Sequence, residues 1–267
     1  LAFDCARNPQ GRDGDTPLSA AEALGAFLEA HPLGGDRVFT ILPRQEVTTR
    51  ILRLPTSDPR EAANMVRLSA EEFVPYSLDE MIIDQCLLET FENGESRVLA
   101  VLAHKDVIHR HIETLHKAGI EPEEVLLSTM CLLAAAEIAG PAEDRYAVVD
   151  LASGGFEAMV IERGQLQYSR GLALGLDWSL LESVPDDAAA QSEPAPATSL
   201  DALLRDEAPA AETPHGTHAE TLRELAVEMR NSLAAYRRES EEGLGVETVY
   251  VSSEWLDPAP SRNTAAI

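Results

Sequence analysis

The sequence predicts an α/β fold, and three observations carry the prediction. Helical and extended patterns alternate from Ser19 onward, three closely spaced strand patterns between Tyr146 and Arg170 feed a helical one, and the alternation restarts after Gly140-Pro141. At roughly 150 residues per domain, the 267 residues suffice for one large domain or two small ones.

The elements follow in chain order. Ser19 to Ala30 carries Ala20, Leu24, Phe27 and Leu28 at helical spacing, with Ser19 as N-cap and Glu22 three residues on. Arg37 to Pro43 and Val47 to Leu54 read as two strands joined by a short polar turn. Ser57-Asp58-Pro59 opens a helix, because a proline at the first helical position gives up no hydrogen bond; the helix runs to about Phe73 and ends at Val74-Pro75. Met81 to Phe91 and Ser96 to Ala103 are β-rich runs around Asn93-Gly94, a strong hairpin signal. Lys105 to Ala118 is an amphipathic helix stopped by Gly119, Glu124 to Ser128 a short buried strand, and Thr129 to Ala139 an apolar helix. Strands follow at Tyr146 to Leu151, Phe156 to Glu162 and Gln165 to Arg170, separated by Ser153-Gly154-Gly155 and Arg163-Gly164 turns; then come helices at Leu174 to Ser183 and Ala219 to Arg238, and a last buried strand at Glu247 to Ser252.

Composition excludes several function classes. Forty-six acidic residues against 21 basic give a net charge of −25, a field that repels nucleic acid and anionic membrane surfaces. Apolar runs such as Cys131 to Ala136 are far too short to cross a bilayer, so no direct membrane insertion is expected. Cys5, Cys86 and Cys131 fit neither a disulfide framework nor a zinc site, which favours a reducing, cytoplasmic setting. Leu1 stands where a start methionine would, and no secretory signal follows, which suggests a processed chain or a fragment. From Glu182 to Glu220 the chain is almost wholly Ala, Pro, Asp, Glu, Ser and Thr, read as a disordered acidic insertion with one short helical pattern at Ser199 to Leu204.

Signals for chemistry are sparse. His104, His109, His111 and His116 lack the i, i+4 spacing of a helical zinc site, so no metal is expected there. No nucleophile elbow, Walker loop or dinucleotide fingerprint is present. Gly171 and Gly175 flank a strand-to-helix turn that either offers N–H groups to an anion or serves packing. Asp150 leaves a buried strand just before a glycine turn, where it either holds a hydrated magnesium ion or caps the turn.

The order of several motifs resembles the actin-like ATPases. Val148-Val149-Asp150-Leu151-Ala152-Ser153 with Leu166 to Gly171 is similar to their second phosphate hairpin and its three-strand meander. Val38 to Pro55, Phe73 to Glu80, Ala103 to Pro122, and Glu228 to Leu233 with Tyr236 resemble segments of the pilus-assembly PilM branch and of its type II secretion relative, the L-type cytoplasmic domain. The likeness spans about Ala23 to Ser253 outside the insertion.

That resemblance implies an actin-like (ribonuclease-H-like) fold of two halves on mixed sheets, truncated at both ends. The halves would be 1–140, with an inserted small subdomain at about 51–138, and 141–267, with the acidic insertion at about 184–217. It implies a cytoplasmic scaffold of a type IV pilus or type II secretion machine, held at the inner membrane by its partners. The partners would be an inner-membrane platform protein, grasped by a short cytoplasmic peptide, and the motor ATPase. Arg50, Pro75 and Tyr76 are the candidate peptide contacts, with Tyr76 as a core residue the alternative. Asp150, Ser153, Gly154, Gly155, Gly171, Gly175, Ser252 and Ser253 would be remnants of a nucleotide site. Ala152 stands where the family has Gly, Phe156 near its phosphate-contacting Thr, and Glu254 near its Gly-Gly turn, so no cofactor is expected. The alternative is a retained ATPase or phosphotransferase, with ATP and magnesium at Asp150.

Overall fold

The computed structural model describes residues 19–33, 35, 37–152, 155–173, 216–240, 243 and 245–253. The expected helix from Leu174 to Ser183, the acidic insertion up to residue 215 and the tail from Glu254 lie outside the described residues. Two compact units divide the chain, Leu1–Cys131 and Leu132–Ile267.

In the first unit, helix α1 (Ala20–Ala30) opens with the full capping box. The Ser19 hydroxyl accepts from the Glu22 N–H at 3.3 Å while the Glu22 carboxylate accepts from the Ser19 N–H at 2.8 Å. Strand β1 (Phe39–Leu42) and strand β2 (Thr48–Leu54) are both present, but they belong to different sheets. The segment between them is not a plain polar turn: Arg44 is buried, its N–H donates to the Ser128 hydroxyl at 2.9 Å, and its guanidinium donates to the Val47 carbonyl at 2.9 Å.

Helix α2 (Pro59–Ser69) begins with Pro59 in its first turn and with the Asp58 carboxylate accepting from the Arg60 and Glu61 N–H groups at 2.8 and 3.1 Å. Such a cap contributes about 1 kcal/mol. Strands β3 (Met81–Thr90) and β4 (Ser96–His104) form the expected hairpin. Its loop is one residue longer than a two-residue turn: Phe91 N–H meets the Glu95 carbonyl, Gly94 N–H meets the Phe91 carbonyl, and Gly94 alone takes a positive φ, 82°. Helix α3 (Lys105–Lys117) ends in a Schellman motif, with Gly119 at φ 81° and the Ile120 N–H reaching the Leu115 carbonyl at 2.9 Å. Strand β5 (Glu124–Leu127) follows, and helix α4 (Ser128–Ala139) begins in this unit and continues into the second.

The antiparallel sheet has the order β2-β4-β3. Its middle strand is apolar on both faces. Val98, Ala100 and Leu102 join Ala62 and Val66 of α2 in one core, while Ala103 and Val101 pack with Leu42, Val47, Val107, Ile108, Val125 and Leu127 in another. A separate parallel pair joins β1 to β5. β5 is half-exposed rather than buried, as expected of a strand with one described neighbour.

The second unit holds strands β6 (Arg145–Ala152), β7 (Gly155–Glu162) and β8 (Gln165–Leu172), then helix α5 (Gly216–Glu239) and strand β9 (Val249–Ser253). Helix α5 starts ahead of the expected Ala219, taking in Gly216 and Thr217 that composition had given to the insertion. The β7–β8 turn puts Arg163 at φ 50° and Gly164 at φ 76°, the twist a two-residue hairpin needs. The sheet order is β8-β7-β6-β9, with β9 parallel to β6. Leu225, Met229 and Tyr236, at helical spacing on α5, bury themselves against Ala147, Val149, Phe156, Ala158, Val160 and Val249. Among the described residues no helix is long and apolar enough to cross a membrane.

Candidate functional site

Strand register assembles the first candidate site. Asp150 of β6 pairs with Glu157 of β7 and with Ser252 of β9, and Glu157 pairs in turn with Gly171 of β8. Residues opposite one another on neighbouring strands project from the same face. Gly171, Glu157, Asp150 and Ser252 therefore form one row across the sheet, at the C-terminal end of the parallel β6–β9 pair, where open α/β sheets place ligands.

Within the row the environments differ. Asp150 is half-buried, Ser252 exposed, and Glu157 buried at 4% exposure. Both residues interact with other groups of the protein. Paired Cα atoms on adjacent strands lie about 5 Å apart, so Asp150 and Glu157 present two negative charges side by side. Such a pair attracts a cation or a proton and repels phosphate. Sequence reasoning missed Glu157. The signal was available: a lone carboxylate inside the apolar run Gly155-Phe156-Glu157-Ala158-Met159-Val160.

Phe156 faces the other way. It is 1% exposed and belongs to the core under α5, so the position expected for a phosphate-contacting hydroxyl is committed to packing. Gly155 is required by a close approach to the neighbouring strand: a Cβ there would sit 2.2 Å from the Leu172 carbonyl oxygen. Ser253 ends β9, while Ser153, Gly154 and Gly175 lie outside the described residues. Nearby, Arg170 of β8 pairs with Glu228 of α5 at 3.6 Å. The Tyr250 hydroxyl donates to the Glu143 carboxylate at 2.6 Å, which holds that carboxyl below its ordinary range and raises the phenol.

The second candidate site lies in the first unit. Arg50 is exposed on β2, opposite Ala100 of β4. Pro75 and Tyr76 are exposed between α2 and β3. Tyr76 is not a core residue: it is 57% exposed, with its ring edge-to-face on His104 at 5.8 Å between centroids. His104 lies four residues beyond Ala100 on β4, about 13 Å along the strand at the usual rise, so Arg50 and Tyr76 occupy two places on one sheet rather than a single contact.

The histidines have separate structural tasks. His104 Nδ1 accepts from the Asp106 N–H at 3.2 Å as the cap of α3, His111 Nε2 meets the Thr40 hydroxyl at 2.7 Å, and His116 pairs with Glu121 at 2.9 Å. Burial lowers the pKa of His111, against an opposing pull from Glu46. No group of three or more His, Cys, Asp or Glu side chains able to hold a metal occurs among the described residues.

Comparisons with known proteins agree with this architecture. A chain of a "PilM-PilN type IV pilus biogenesis complex" superposes with a TM-score of 0.65 at 20% identity, over 88% of this chain and 67% of that one. The cytoplasmic domain of EpsL, an inner-membrane component of the Vibrio cholerae type II secretion system, matches at 16% identity over 66% of this chain and 64% of that one, with a TM-score of 0.40. A Bacteroides thetaiotaomicron protein with an actin-like ATPase fold matches at 14% identity over 62% and 63%, with a TM-score of 0.38. No curated protein matches the chain. Residues 16–181, more than half of the sequence, match the family described as "Type IV pilus assembly protein PilM". The fold is the actin-like α/β fold, and the chain belongs to the PilM family of type IV pilus assembly proteins.

Proposed function

We propose that this chain is a scaffold of a type IV pilus or type II secretion machine, working at the cytoplasmic face of the inner membrane without nucleotide chemistry. It would grasp a cytoplasmic peptide of an inner-membrane platform protein and link that platform to the motor ATPase. Family membership supports the machine, and the likeness to a chain of a PilM-PilN complex supports a partner of this kind.

The observation that carries the absence of nucleotide chemistry is the row in the second unit. A magnesium triphosphate needs donors and a close backbone approach at the phosphate hairpin. The residues present do not fit it. Glu157 adds a buried carboxylate beside Asp150, Phe156 is a core side chain, and the absence of a Cβ at Gly155 is used against Leu172. Arg50, Pro75 and Tyr76 are all exposed, as peptide contacts must be.

The test has two arms. Calorimetric titration of the chain with ATP and magnesium is expected to give no heat, and its melting temperature should not move. Micromolar affinity with an ATP-dependent melting shift would restore the ATPase or phosphotransferase reading, with Asp150 on the metal. In the second arm, the cytoplasmic segment of the membrane partner, immobilised as a peptide, is expected to retain the chain.

A further inference from the structure

The loop that joins β3 to β4 carries a chemically reactive pair. Asn93 and Gly94 are both exposed there, and a glycine after an asparagine leaves the following backbone nitrogen open to approach, because no Cβ stands beside it. The surrounding chain does not shield it either: nothing lies within 4 Å of the place a Cβ of Gly94 would take. Asn64 and Asn231, the other asparagines among the described residues, precede Met65 and Ser232 inside α2 and α5, where the backbone is committed to helical hydrogen bonds.

The hydrogen bonds of the loop act on the two reacting groups in opposite senses. The Glu95 N–H donates to Asn93 Oδ1 at 3.1 Å. That donor sits on the oxygen where negative charge gathers when the side-chain carbonyl is attacked, so it favours the attack. The Gly94 N–H donates to the Phe91 carbonyl at 3.0 Å, and it must leave that carbonyl before the nitrogen can lose its proton. One bond in an exposed loop opens at a small fraction of the free energy of global unfolding. The reacting atoms belong to adjacent residues, so no encounter has to be arranged.

We propose that Asn93 is a site of spontaneous deamidation, in which the Gly94 backbone nitrogen displaces ammonia from the Asn93 side chain. The nitrogen gives its proton to hydroxide and bonds to Asn93 Cγ; the Cγ–Nδ2 bond breaks, and the side-chain nitrogen takes a proton from water and leaves as ammonia. Water then opens the cyclic imide, at the Cγ carbonyl to give aspartate or at the main-chain carbonyl to give isoaspartate. No electron is transferred. Either product sets a carboxylate between Glu92 and Glu95 in place of a neutral amide. It also removes the Asn93 side-chain donor that, together with Arg53, holds the Glu95 carboxyl below its ordinary range. Isoaspartate further lengthens the main chain inside the loop that the Phe91 N–H closes on the Glu95 carbonyl at 2.9 Å.

The experiment ages the full chain in mildly alkaline buffer at physiological temperature, folded and in urea, and follows peptide masses and anion-exchange elution. In the folded chain the peptide containing Asn93 is expected to gain the mass of an NH2-to-OH exchange at a rate within about tenfold of the urea-unfolded chain, since only a loop hydrogen bond has to open. Peptides containing Asn64 and Asn231 should keep their masses. The aged chain should develop a more acidic species that elutes with Asn93→Asp, while Asn93→Gln, whose longer side chain must close a larger ring, should show neither change. Slower conversion of Asn93 in the folded chain than that, or mass gain at Asn64 and Asn231 as fast as at Asn93, overturns the proposal.

Discussion

The β2-β4-β3 sheet of the first unit and the β8-β7-β6-β9 sheet of the second place burial and charge in opposite ways. In β2-β4-β3 only the middle strand is apolar on both faces, and the outer strands expose Arg50, Ile82, Asp84 and Leu87. In β8-β7-β6-β9, β7 is buried at every residue but its last and includes a charged side chain, Glu157, in that burial. The first arrangement leaves backbone and side chains available for recognition. The second packs apolar groups and two neighbouring carboxylates, Asp150 and Glu157, around its buried strand.

The largest expected effect breaks this contrast at its packed side. Phe156→Ala should cost about 3–5 kcal/mol in chemical denaturation, because a fully buried ring is lost from under α5, whereas Tyr76→Ala should change stability by less than about 0.5 kcal/mol. Equal losses at the two positions would erase the distinction between a packed and a presenting sheet. Gly155→Ala comes next, at about 1–3 kcal/mol: its Cβ would meet a backbone carbonyl, Leu172, that cannot swing aside like a side chain. A neutral result there would mean that the glycine does not serve β7–β8 packing, and that its place in a phosphate hairpin must be reconsidered.

The smallest effect concerns pH. His111 has its pKa lowered by burial, so the folded state binds a proton less readily than the unfolded state, whose value is near 6.5. Its contribution is present above that unfolded value and is lost as pH falls below it, when protonation favours the unfolded chain. Stability measured from pH 7 down to pH 5 should therefore decline less steeply in His111→Gln than in the parent. A steeper decline in the variant would reverse the sign.

Much of the local structure was legible in the sequence because local physics decides it. Ser19 with Glu22, Asp58-Pro59 and Gly119 mark helix ends that form as read, and Asn93-Gly94 marks a hairpin. The partition into sheets was not legible. Arg37 to Leu54 reads as two strands around a turn, but each strand finds its partner far along the chain, β1 with β5 and β2 with β4, and no local propensity encodes that choice. The site divides in the same way. Asp150 announced itself by standing between a buried strand and a glycine turn, whereas Glu157 became a site residue only once register set it beside Asp150. Tyr76 was ambiguous because a tyrosine next to a proline suits a core as well as a surface, and only burial separates the two.

The parallel pair of β1 and β5 also bears on the order in which the chain can acquire its structure. The β3–β4 hairpin closes a loop of a few residues, while β1 must meet β5 across about 80 residues, four doublings of loop length and roughly 2.5 kcal/mol more closure entropy. A search over so long a loop becomes affordable only after the intervening chain has shortened itself. The hairpin does this by bringing His104 and the start of α3 beside Met81. Protection of the β1 amides is thus expected to arise late in refolding, after that of β3 and β4.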